Sequence, residues 1–156
     1  MAISLLSPVS DIYRRDVSVD DNNLVTPTHA DCLVAGEWVV LNASGEADID
    51  ARAANSALAF QVFTEKGDYS AQALGKVTLL NSFDYIAETD QYTGSPSAGD
   101  YLAINSDGVL AVHTAVDWSG SLTSGTAAAM EVVVAVALQA PSGGLLKYQR
   151  ISPFRH

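Results

Sequence analysis

The sequence predicts an all-β fold, a small β-barrel or β-sandwich of about eight to ten short strands with two similar hairpins and an extended N-terminal arm. Three features predict it. Apolar runs are short and end in turn residues, as at residues 58–64, 73–80 and 145–151. A single stretch, residues 51–59, tolerates a helix, and it reads equally well as one turn or a loop. Residues 35–45 recur without a gap 63 residues later as residues 98–108, with similar side chains position by position.

The recurring stretch is one unit. Gly36 or Gly99 opens it, then come Glu37-Trp38 or Asp100-Tyr101, an apolar strand, and a turn written Asn42-x-x-Gly45 or Asn105-x-x-Gly108. Asn bonds its own backbone and Gly accepts positive φ, so both turns are specified locally. Second strands follow at residues 46–50 and 109–114, which gives two hairpins of one design. Alternation within the first strands is weak, so both of their faces are expected to be covered.

The remaining elements follow in order. Residues 1–30 form the arm and residues 31–156 the β-domain. In the arm, sparse apolar residues alternate with charges, and Pro8 and Pro27 interrupt any long element. Leu58, Phe60 and Val62 share one face of a strand, and Gly75 marks a bulge or a close backbone approach in the next. Residues 84–89 continue in strand style, and residues 117–126 are a Gly/Ser/Thr-rich loop carrying Trp118. Residues 130–138 read as a central strand, and residues 145–151 as a last strand with one wet face. Trp38, Leu41, Phe60, Val62, Leu79, Tyr101, Ile104, Val134 and Val136 are expected to fill the core or line its rim.

Composition narrows the function. The net charge of −10 and pI near 4.4 oppose binding to nucleic acid or to an anionic membrane. No apolar run reaches the roughly 20 residues that span a bilayer, and the first residues lack a basic leader. Cys32 is the sole cysteine, so no internal disulfide forms, which fits a reducing cytoplasm; it reads as a small buried hydrophobe.

Chemistry-bearing motifs are missing. His29, His113 and His156 share no ligand spacing, and Asp48 and Asp50 lack the other oxygens of a calcium loop. Nucleophile-elbow and phosphate-cradling motifs do not occur. The carboxylates are many, and sequence assigns no glycosidase pair among them. The expectation is a protein without metal, cofactor or catalytic residues. Contact residues are sought instead: Ile12, Tyr13, Arg14 and Arg15 in the arm, Trp118 in its loop, and Arg150 and Arg155 in a basic C-terminal end.

The run Val34-Ala35-Gly36-Glu37-Trp38-Val39-Val40-Leu41 resembles the Gly-Glu-Trp-Val strand of tailed-bacteriophage capsid decoration (cement) proteins. Residues 60–77, Ala98-Gly99-Asp100 and the closing strand pair within residues 134–151 share that resemblance, whereas residues 1–30 carry no part of it. It implies a small, β-rich, non-catalytic virion protein on the outer capsid surface, made in the host cytoplasm. It further implies a homotrimer that clamps the major capsid protein lattice, touching that protein and other copies of itself but no nucleic acid or membrane. The alternative is a receptor- or glycan-binding module on a phage head or fibre, with the Trp118 indole stacking on sugar rings.

Overall fold

The computed structural model describes residues 3–7, 14–19, 33–52, 59–63, 75–80, 84–114 and 132–151. Among them run eleven strands and no helix: β1 (Ile3–Ser7), β2 (Arg14–Ser18), β3 (Trp38–Leu41), β4 (Ala47–Arg52), β5 (Phe60–Val62), β6 (Lys76–Leu80), β7 (Ile86–Thr89), β8 (Tyr101–Ile104), β9 (Leu110–Val112), β10 (Ala135–Ala137) and β11 (Leu146–Arg150). They form two antiparallel sheets, ordered β1-β7-β11-β10-β8-β9 and β2-β6-β5-β3-β4.

The two hairpins are β3–β4 and β8–β9, and their turns match bond for bond. The Asn42 side-chain oxygen accepts the N–H groups of Ser44 and Glu46 at 2.9 and 3.1 Å. The Asn105 oxygen accepts those of Asp107 and Val109 at the same two distances, 2.9 and 3.1 Å. At the start of each unit a carboxylate turns back on the chain. Glu37 accepts the Val34 N–H at 2.9 Å, and Asp100 accepts the Ser97 N–H at 2.8 Å. Gly36 and Gly99 stand between at φ 95° and 91°, where a Cβ would strain the backbone.

The repeat extends far beyond the hairpins. Omitting β1, each sheet takes its five strands in the same spatial order: first, fifth, fourth, second, third. Registers agree as well. Trp38 opposes Gln61 and Val39 opposes Phe60, as Tyr101 opposes Val136 and Leu102 opposes Ala135. Gly36 N–H bonds Val62 at 2.9 Å, and Gly99 N–H bonds the equivalent Ala137 at 2.8 Å. The molecule is thus a tandem pair of one five-stranded unit, β2–β6 followed by β7–β11, with β1 added at the edge of the second.

Each sheet curls until its ends meet. Val19, just past β2, forms a parallel bridge with Ala47 of β4; Tyr92, just past β7, forms one with Leu110 of β9. Each repeat buries the same positions inside that curl. Val17, Leu33, Val39, Ala47, Val62, Val77 and Leu79 fill the first. Leu102, Leu110, Ala137, Leu146 and Tyr148 stand at equivalent places in the second.

Three expectations change. Residues 3–7 and 14–18 are strands of the two sheets, and Val17 and Val19 lie in the core, so these parts of the expected arm belong to the body. The cause is the period-two spacing of Val17 and Val19, which gives β2 one inward face. Ala51 and Arg52 complete β4, which leaves no helix at that point; residues 53–58 lie outside the described residues. The central strand is shorter than expected, three residues at β10.

Candidate functional site

Where the two repeats meet, five polar or aromatic side chains converge. β11 alternates, so Leu146, Tyr148 and Arg150 share its buried face. Tyr85 immediately precedes β7, Gln61 is the middle residue of β5, and Trp38 opposes it from β3. The phenols of Tyr85 and Tyr148 lie edge to face, centroids 6.4 Å apart. Both hydroxyls donate to the Gln61 side-chain oxygen, that of Tyr85 at 2.8 Å. The Gln61 amide nitrogen donates to the Gly36 carbonyl at 2.9 Å. One glutamine therefore anchors both tyrosines of the second repeat to the opening turn of the first.

Arg150 makes the second link. One guanidinium nitrogen donates to the Val134 carbonyl at 3.3 Å and the other to the Ala59 carbonyl at 3.2 Å. Those two residues are counterparts, each preceding the fourth strand of its repeat. The guanidinium carbon stands 4.7 Å from the centre of the Trp38 ring, a cation–π contact worth about 2 kcal/mol when desolvated. The planar fork of arginine suits this place, since it spans two acceptors while stacking on an aromatic face.

Burial sets the electrostatics. Arg150 is 1% exposed, and burial pulls its pKa below the usual arginine value; Tyr85, Tyr148 and Asp84 oppose that pull when charged. Burial pushes both Tyr85 and Tyr148 above the usual tyrosine value, so both are neutral phenols at neutral pH. Neutral phenols are what the site needs, because each must donate a hydrogen bond to Gln61. Trp38 Nε1 and His113 Nε2 are buried without a hydrogen-bond partner among the described residues.

The cluster is closed to solutes: Trp38, Gln61, Tyr85, Tyr148 and Arg150 are all fully buried. It holds the two sheets in one arrangement and offers no place for a substrate. No group of three His, Cys, Asp or Glu side chains among the described residues is placed to hold a metal ion. Among them, no helix is long and apolar enough to cross a membrane.

The expected contact residues fare differently. Arg14 and Arg15 open β2, opposite Leu80 and Leu79 of β6. Ile12, Tyr13, Trp118 and Arg155 lie outside the described residues, as do Cys32, His29 and His156. Arg150 is corrected: it is a core residue, since alternation along β11 puts it on the inward face with Leu146 and Tyr148. Sequence reasoning missed Gln61, Tyr85 and Tyr148, yet a signal was present for part of the cluster. A glutamine flanked by Phe60 and Val62, and a basic residue in phase with Leu146, are polar groups in core positions. No family model matches the chain, and no curated protein matches it.

Proposed function

We propose that the chain is a structural virion protein that binds the outer surface of a phage head and stabilises the lattice of the major capsid protein. One observation carries the reading: Gln61, Tyr85, Tyr148 and Arg150 are bonded to one another and to backbone carbonyls between the two repeats, and all four are fully buried. That arrangement yields a stiff body whose interactions with other molecules run through its edges and loops. A lattice clamp requires such a body, because stiffness turns several weak contacts into avidity. The net charge of −10 favours the solubility of the chain before assembly. The resemblance of residues 34–41 and 60–77 to capsid decoration proteins points the same way.

The test is co-sedimentation of the purified chain with heads assembled from the major capsid protein encoded in the same genome. The reading expects saturable binding at a fixed number of copies per head, a higher disruption temperature for decorated heads, and ordered outer density by electron cryo-microscopy. Heads that stay bare at micromolar protein refute it. Deleting residues 1–25 does not serve as a test of contact, because it removes β2 and with it Val17 and Val19 from the core. Charge reversal at Arg155, or Trp118→Ala, probes contact without touching the described strands.

A further inference from the structure

The two repeats differ at one edge. β1 lies along β7 in the register Ile3↔Thr89, Ser4↔Glu88, Leu5↔Ala87. β2 is the counterpart of β7, and among the described residues no strand pairs along its outer edge beyond the single bridge of Val19 to Ala47. The Val19 N–H bonds the Gly75 carbonyl, so backbone groups of Val19, Val17 and Arg15 face β6. Those of Arg14, Asp16 and Ser18 therefore face outward.

We propose that this edge docks β2 of a second copy of the chain, the two strands running antiparallel about a two-fold axis. The counterpart edge shows that this backbone accepts one more antiparallel strand. The described residues hold two such edges and one strand, β1, beyond the two repeats, so exchanging β1 between copies leaves one edge open. Pairing the open edges with each other closes both, and a two-fold contact is the commonest way copies associate. Charge favours the same occupant. On a chain of net charge −10, the open stretch holds two arginines and one aspartate, so two copies meeting there bring no excess of negative charge together. Outward residues must oppose outward residues. The register that sets Arg14 against Asp16 of the second copy, and the reverse, opposes unlike charges twice. Sliding one step either way sets Arg14 against itself or Asp16 against itself. In the favoured register Arg15 meets Arg15 of the second copy. This contact goes beyond the capsid reading and does not depend on it.

Sedimentation velocity on the full chain across the micromolar range tests it. The wild type should shift from monomer to dimer. Asp16→Pro should stay monomeric with an unchanged melting temperature, because the N–H it removes faces outward and takes no part in the sheet. Arg14→Asp should weaken the dimer by about fivefold, since it sets like charges against Asp16 of the second copy at both pairs. A wild type that remains monomeric, a dimer that survives Asp16→Pro, or a dimer that Arg14→Asp leaves unchanged or tightens each overturns the proposal. If Asp16→Pro fails to fold, amide exchange of the wild type decides. Protection at Arg14 and Asp16 that grows with concentration supports the contact, and protection that does not refutes it.

Discussion

Replacing Gln61 with leucine, a side chain of similar volume, isolates the polar junction from the packing around it. The substitution removes three hydrogen bonds: those accepted from Tyr85 and Tyr148, and the one donated to the Gly36 carbonyl. The two phenols remain side by side and can bond each other. One phenol donor and one carbonyl are then left buried and unpaired. Each such group costs about 1–3 kcal/mol, so the expected loss is about 2–6 kcal/mol, against about 5–15 kcal/mol for a whole domain. At about 2–4 °C per kcal/mol for a chain of this size, a mid-range loss of about 4 kcal/mol lowers Tm by about 8–16 °C. Urea unfolding followed by tryptophan fluorescence should show a lower midpoint at unchanged slope. The triple variant Gln61→Leu, Tyr85→Phe, Tyr148→Phe removes the stranded hydroxyls too. It should regain about half of the loss, because deleting both partners of a buried bond is close to neutral. A single variant within about 1 kcal/mol of wild type, or a triple no more stable than the single, refutes this account of the junction.

Alkali should loosen the same junction. The unfolded chain releases its tyrosine protons near pH 10.0, while folded Tyr85 and Tyr148 hold theirs to higher pH. Their contribution is therefore full below about pH 10 and falls above it, by up to about 1.4 kcal/mol per pH unit for each; Tyr85→Phe should flatten the decline in pH-dependent melts. Arg150→Lys keeps the charge but cannot fork between Ala59 and Val134, and urea unfolding should show a loss of about 1–3 kcal/mol. Gly99→Ala meets no atom within 4 Å, so its cost is backbone strain alone, about 1–2 kcal/mol by calorimetry.

The hairpins were legible because their instructions are local. Asn42 and Asn105 make the same two bonds to their own turns whatever surrounds them. Most of the expected core was legible too. Trp38, Val62, Leu79, Ile104 and Val134 are buried, and Leu41, Phe60, Tyr101 and Val136 lie half-buried at the rim. The duplication of all five strands was not legible. Its evidence lies in register and backbone bonds, while the side chains at equivalent core places, such as Val77 and Leu146 or Val62 and Ala137, need share only apolarity. Arg150 was misread because charge was weighed before phase. A basic residue two places from Tyr148 and four from Leu146 belongs to their face, and its cost there is met by two carbonyls and an indole.

The junction also explains why two similar units are joined in one chain. A symmetric pair would place the same side chain on both sides of the contact. Two guanidinium groups reaching for one pair of carbonyls, about 4 Å apart, repel by about 4 kcal/mol at an effective dielectric of 20, before the cost of burying the second charge. Only one repeat can carry the arginine. The other members diverge in the same way: Gln61 matches Val136, and Tyr148 matches Leu79. Fusion frees the halves to differ where they touch, while the turns that build each half stay alike. The polar lock is thus available to a tandem chain and denied to a dimer of identical halves.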